Sequence, residues 1–369
     1  MRIRSYAPAL LLPLLVLAAA WPPGARAEKP APRVPVLYCT DLFHPHDDPD
    51  DHFDVACLYA LEELDVRGIV LDQGDRQARA PGRIPVSQLN HLTGRNVPCA
   101  TGLSVPLASP KDTGAGQPAP HQAGVELMLR VLREAERPVT IITVGSLRDV
   151  AAALNREPDL FRKSVSRLFV FIGAVDTTKP EWNVSLDEHA FVRVMNSGLA
   201  VHWVPCFDGG LFKNAGRASY WRASHARLLQ HASPRALRFF VYALGKKEAP
   251  DAIAFLSHEV SAEDRKTVLA GTRHLWCAAV FPYVAGRRIV QRGGAWSSVR
   301  PDAVRAGEPT IEPFRFEPVA LQVEADTSII YAEPGPNPTL RRFQVVDLTT
   351  YADVMTSVTA HLIGSLAAD

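Results

Sequence analysis

The sequence predicts an α/β protein: a mostly parallel, twisted open sheet, Rossmann-like, with helices on both faces. Three observations carry that expectation. Near-continuous apolar, β-branched runs at 139–144 and 167–172 read as strands buried on both faces, the form that parallel strands take. Strand-like runs alternate with helical patterns from residue 36 to residue 206, which requires a sheet with crossover helices. Carboxylates stand just past strand ends, at the edge where open α/β sheets bind ligands.

The elements follow in order. Residues 1–27 read as a secretory signal, with Arg2 and Arg4 ahead of an apolar run from Ala7 to Trp21 and a small-x-small site at Ala25-Arg26-Ala27. The run is too short and wrongly flanked for a stable span. Cleavage before Glu28 would leave a single α/β domain, 28–369, exported to the periplasm or the medium. A Pro-rich lead-in precedes a strand from Val36, then an acidic loop and a helix with Phe53, Val55, Ala56, Leu58, Tyr59 and Leu61 at helical spacing. Residues 66–71 form a second strand, ending at Asp72-Gln73-Gly74-Asp75. A loop at 76–85, a helix at 86–92 closed by Gly94, and a short strand at 97–100 come next. The Pro-, Gly- and Ser-rich stretch 104–120 is longer than a usual connection and reads as a lid. Beyond it lie a helix at 123–136, the strand at 139–144, a helix at 148–155, the strand at 167–172, a helix at 189–197 begun by Asp187, and a strand at 199–206. Residues 211–285 read as mainly helical. The tail turns β-like at 319–323, 328–331 and 342–346, and closes with a helix at 351–366.

Bulk properties exclude several classes. The chain has 40 basic and 39 acidic residues; losing Arg2, Arg4 and Arg26 with the signal leaves 37 against 39, a net charge of −2. No basic field exists for nucleic acid or an anionic membrane, so a small-molecule partner is expected. The five cysteines are scattered singly, without metal spacing, and read as mostly buried free thiols. The sequon at Asn183 reads as chance.

The stretch 36–58 organises the site. Its strand delivers Asp41, and its loop holds His44, His46, Asp47, Asp48, Asp50, Asp51 and His52. Carboxylates packed into a desolvated cleft require a cation or shared protons, and hard oxygen ligands favour calcium or magnesium. The plainer reading is a solvated acidic loop at a helix N-terminus, where Asp is favoured anyway.

Four stretches together resemble the inosine–uridine-preferring nucleoside hydrolases, calcium-dependent N-ribohydrolases. Cys39-Thr40-Asp41 followed by Asp50-Asp51 is similar to that family's Asp-x-Asp, Gly loop and Asp-Asp. Val97-Pro98-Cys99-Ala100-Thr101-Gly102 with Pro106-Leu107 resembles its Val-Pro-Val-x-x-Gly…Pro-Leu. Residues 139–159 resemble its strand, Gly-Pro-Leu-Thr-Asn turn and helix, and Pro180-Glu181-Trp182-Asn183 with Asp187-Glu188 its ribose-binding Ala-Glu-Phe-Asn stretch. The resemblance covers roughly 34–366.

The resemblance implies a calcium-activated water attacking the anomeric carbon through an oxocarbenium-like state. Asp41, Asp51 and the carbonyl of Val144 would hold Ca2+. Asp50 would be the general base or accept a ribose hydroxyl. Glu181 and Asn183 would bind ribose hydroxyls, Trp182 would pack on sugar or base, and Asp75 would be a further substrate-binding residue. It also implies dimers or tetramers. Four departures stand against it: Cys39 replaces the first Asp, the loop before Asp50 is about five residues longer, Asp75 stands where the family has an Asn nearby, and at the C-terminal His-Asp only His274 has a counterpart. His274 is expected to be catalytic, near the leaving base, and one metal ligand to be lost. Two competing functions follow. One is a sugar- or nucleoside-binding protein that does not cleave. The other is a metallohydrolase of another bond, such as a phosphoester, with a transition metal on His44-x-His46-Asp47-Asp48.

Overall fold

The computed structural model describes residues 32–176, 180–336 and 338–366, and one body spans Arg33–Asp369. The expected signal segment lies outside the described residues. Among those described, no helix is long and apolar enough to cross a membrane.

The first strand, β1 (Val34–Thr40), alternates between two cores. Val36 and Tyr38 join one cluster, Leu37 and Cys39 the other. Both faces are apolar, so the strand sits inside the sheet. The strands β2 (Leu64–Leu71), β3 (Cys99–Thr101), β4 (Val139–Val144), β5 (Val165–Phe171) and β6 (Val201–Val204) follow. Between them run α1 (Asp50–Ala60), α2 (Gly74–Arg79), α3 (Arg83–Thr93), α4 (Ala123–Glu134) and α5 (Arg148–Arg156). The sheet order is β3-β2-β1-β4-β5-β6. It continues with Leu340–Val345, parallel to β6, and ends with Phe314–Pro318, antiparallel at the edge. Chain order therefore steps outward in one direction from β1 and in the other from β4. That reversal is the topological switch point of a doubly wound sheet, where a crevice opens beyond the strand ends. Cys39 pairs with Thr143, so Asp41 and Val144 reach that edge side by side.

Helix α1 is buried on nearly every side, with Phe53, Val55, Ala56 and Leu58 all fully inaccessible. Phe53 packs tilted against Phe240, ring centroids 4.7 Å apart, and the same core takes Met355, Val358 and Leu362 from the last helix, Leu348–Ser365. Each such side chain contributes about 1.5–3 kcal/mol by leaving water. This fixes α1, and with it the carboxylates of its first turn, against the sheet.

Four expectations need correction. The segment expected as a loop at 76–85 holds most of α2 and the start of α3. The segment 211–285 contains an antiparallel ribbon, Trp221–Ser224 with Thr272–Leu275, among its helices. The stretch 104–120 is no lid. Leu107 N–H donates to Asp187, the Asn155 amide donates to the Pro110 and Asp112 carbonyls, and Arg156 donates to Thr113, which pins it against α5. A hairpin, Arg288–Arg292 with Ala295–Val299, was not expected at all. Its turn, Gly293-Gly294, has φ of 57° and 81°, the backbone a two-residue hairpin loop demands. All five cysteines are free, four of them buried.

Candidate active site

A cavity of about 510 Å³ opens at the switch point. Its lining includes Asp41, Asp50, Asp51, Val144, Glu181, Trp182 and Asn183, seven of the nine residues singled out from the sequence. Asp41 follows β1, and Val144 ends β4. Asp50 and Asp51 open α1, where the helix dipole favours negative charge and no side chain caps the end. Gly145 has φ of 82°, and a Cβ there would approach Asp41 Oδ1 to 2.9 Å and Asp72 Oδ2 to 3.0 Å. Only glycine lets β4 turn this close to the two carboxylates.

The carboxylates are charged against one another. Burial, then Asp72, raises Asp41 to about 7. Burial, then Asp48 and Asp54, pushes Asp50 well above the usual carboxylate range. Burial, then Asp41 and Asp50, does the same to Asp51, and the Thr40 hydroxyl that donates to Asp51 only partly opposes it. Asp54, one turn along α1, is raised to about 7 by burial first, and its Oδ1 has no hydrogen-bond partner. Such a set requires a cation or shared protons. Among the described residues no three His, Cys, Asp or Glu side chains converge as a cage. Asp41, Asp51 and Val144 line the cavity together, so two carboxylates and a backbone carbonyl are the oxygen donors a hard cation would find there. The donors fit calcium in kind and in charge.

Glu181 is held from both sides. Its Oε2 accepts from Gly173 N–H at 2.9 Å, and its Oε1 caps the helix Trp182–Leu186 through Asn183 N–H at 3.0 Å. Asp187 is a scaffold residue. It caps the helix Glu188–Met195 and takes a buried ion pair from Arg148, 3.1 Å away, whose guanidinium also reaches the carbonyls of Leu103, Ser104 and Leu186.

Two expected residues lie elsewhere. Asp75 sits on the outer side of α2, its side chain 73% exposed and 3.4 Å from His121. The buried carboxylate at the end of β2 is Asp72, three residues earlier. It accepts from Ser146 N–H at 2.8 Å, Ser146 Oγ at 2.9 Å and Gln73 N–H at 2.8 Å, and so buttresses the Gly145 turn. His274 is not in the wall either. Its Nδ1 pairs with Tyr220 Oη at 2.7 Å, and its ring packs on Phe212 at 4.8 Å. The residues that reach the cavity from this strand are Trp276 and Cys277, two and three positions on. Cys39, in place of the first Asp, faces the opposite core and does not open the wall.

The inserted loop divides its ligands. His44 Nε2 meets the Lys247 carbonyl at 2.8 Å and its ring stacks on Tyr242, while His46 and His52 are buried beside it. Asp47 and Asp48 turn outward to Arg76 and Arg273. The expected transition-metal set of two His and two Asp is thus split between core and rim. The sequence reading also missed Phe43, Arg76, Cys206, Phe207, Leu211 and Phe212, which line the cavity. Cys206 and Phe207 follow β6, so the strand-end rule that singled out Asp41 also points to them. Nothing in the sequence marks Arg76.

Comparison with known proteins gives consistent findings. A sequence model of the family described as inosine-uridine preferring nucleoside hydrolase matches residues 46–265, more than half of the chain. A pyrimidine-specific ribonucleoside hydrolase, RihA, of Escherichia coli O1:K1 is 30% identical over 191 residues, 46% of this chain; the chain spans 58% of that relative's length. A plant nucleoside hydrolase, the PpNRh1 enzyme, has a TM-score of 0.53 at 16% identity, covering 92% of this chain and all of that one. The inosine-uridine preferring nucleoside hydrolase of Bacillus anthracis has a TM-score of 0.50 at 14% identity, covering 90% and 99%. At these identities the two structures speak for the fold alone.

Proposed function

The chain belongs to the inosine-uridine preferring nucleoside hydrolase family, and from that premise we propose that it hydrolyses the N-glycosidic bond of a ribonucleoside or related riboside. The observation that carries the reading is the meeting of Asp41, Asp50, Asp51, Glu181 and Asn183 in one cavity at the switch point of the sheet. Carboxylates from three different segments converge there without partners enough to neutralise them.

Asp50 takes a proton from the attacking water at a carboxylate oxygen. Burial, with Asp48 and Asp54 beside it, raises its affinity for protons, which strengthens it as a base. Glu181 and Asn183 bind ribose hydroxyls, and because Glu181 is fixed by two backbone N–H groups it orients the sugar without reorganising. Trp182, 67% exposed, closes over the sugar from the rim. Asp41, Asp51 and the Val144 carbonyl would hold calcium, which would offset the charge of the carboxylates and make a water more acidic. The protein acts after export, its first 27 residues removed.

A second reading, a protein that holds a riboside without cleaving it, is favoured by one observation. Cys277, a neutral thiol that burial pushes far from ionisation, stands in the cavity wall beside the carboxylates. The test is release of ribose from purine, pyrimidine and cationic ribosides, with calcium or with a chelator. The expected result is calcium-dependent release that falls by about 10²–10⁴-fold in Asp50→Asn. Tight riboside binding with no release under any condition would replace the hydrolase by the binder.

A further inference from the structure

The cavity wall is lopsided in charge and in proton donors. Six carboxylates line it against one guanidinium, that of Arg76, which is already bound to Asp47. The rest of the wall is largely aromatic. Phe207 packs on Phe212 at 5.3 Å and edge-on to Trp276 at 5.9 Å.

Among the described residues, no group on this aromatic wall is placed to hand a proton to a departing base. Trp276 Nε1 donates to the Cys206 carbonyl at 3.0 Å. Burial pushes the thiols of Cys206 and Cys277 well above their ordinary range. His274 and Tyr220 bond each other and neither lines the cavity, since Phe212 packs against both. An ordinary neutral nucleobase leaves as an anion unless it is protonated. A base with a fixed positive charge leaves as a neutral molecule and needs no acid.

We propose that this site takes ribosides whose leaving group is a quaternised, cationic heterocycle. The assignment rests on the N-ribohydrolase reading above. The bond between the anomeric carbon and the ring nitrogen breaks, and its electron pair neutralises the heterocycle. Water oxygen bonds to the anomeric carbon, and its proton passes to Asp50 and then to solvent. With Asp47 and Asp48 paired to Arg76 and Arg273 and Asp41 and Asp51 given to calcium, Asp50 and Glu181 still leave the wall negative and concentrate a cation, and the aromatic rings of Trp276, Phe207 and Phe212 add attraction for it. A neutral nucleoside gains neither.

Two measurements test this on the full mature protein. The first compares hydrolysis of nicotinamide riboside and N7-methylguanosine with that of uridine and inosine. The second compares 1-methylnicotinamide with nicotinamide as competitors, a pair alike in shape and different in charge. Cleavage of the cationic ribosides alone is expected, with 1-methylnicotinamide at least about tenfold tighter. Phe212→Leu, at a half-exposed position, is expected to shrink that tenfold preference. Equal competition by the two nicotinamides, or uridine and inosine cleaved as efficiently as the cations, overturns the assignment and leaves the hydrolase reading standing. If no riboside is cleaved the hydrolase reading fails, and calorimetric titration of 1-methylnicotinamide against nicotinamide decides the cation subsite, equal binding overturning it.

Discussion

Asp41→Asn separates the charge argument from every other explanation of the cavity. Asp41 is raised from 3.8 to about 7, by burial first and then by Asp72 and Glu181. A carboxyl with a raised folded-state pKa holds its proton more tightly in the native state than in the unfolded chain. Its contribution to stability is therefore full below pH 3.8 and is lost as pH rises toward about 7. The span of that shift corresponds to about 4 kcal/mol as an upper figure, because Asp72 titrates alongside. Asparagine carries no charge at any pH. In chelator, urea unfolding followed by tryptophan fluorescence should show the wild type losing stability from pH 4 to pH 8 more steeply than Asp41→Asn. At pH 8 the variant should be the more stable by up to about 4 kcal/mol, and at pH 4 the two should match within about 1 kcal/mol. Added calcium should reverse the order at pH 8, since the wild type gains a bound ion that the variant holds poorly. A variant less stable than the wild type at pH 8 in chelator would refute the reasoning. Asp41 would then be held by partners and not strained by its neighbours.

Other substitutions follow from the same geometry. Arg148→Met leaves Asp187 buried without its cation and strands the carbonyls of Leu103, Ser104 and Leu186; chemical denaturation should show a loss of about 3–5 kcal/mol. Gly145→Ala puts a Cβ 2.9 Å from Asp41 Oδ1 at a φ of 82°. It should cost about 1–3 kcal/mol and weaken calcium binding in calorimetry. Asp75→Ala, at an exposed position, should leave both unfolding and hydrolysis within about 0.5 kcal/mol of wild type. His274→Ala should leave the pH profile of kcat unchanged, because its ring stands behind Phe212; loss of one limb of that profile would restore His274 to the chemistry.

The sheet was legible because its strands carry their own signal. Runs such as 139–144 are apolar on both faces and mean the same thing wherever they occur in the chain. The site was legible where it hangs directly from strand ends, as Asp41 and Val144 do. It was misread where spacing had to be resolved within a turn. Asp72 and Asp75 are three residues apart, yet one ends β2 inside the molecule and the other begins α2 on its surface. Likewise His274 and Cys277 share a strand end, and only the later residue reaches the cavity. The inserted loop was opaque for another reason. Its histidines and aspartates look alike as ligands in sequence, and tertiary packing alone sends His44 to the Lys247 carbonyl and Asp48 to Arg273. The hairpin at Gly293-Gly294 carried a readable turn signal that went unused.

The central claim is that the switch-point cavity is a carboxylate site built around a cation. Calorimetric titration of calcium into the mature protein, repeated in two buffers of different ionisation enthalpy, tests it most directly. Saturable binding with net proton release is predicted, because the ion draws protons off carboxylates that burial and their neighbours have raised, and Asp51→Ala should abolish both. No heat beyond dilution and no proton release, in wild type as in Asp51→Ala, would contradict the account.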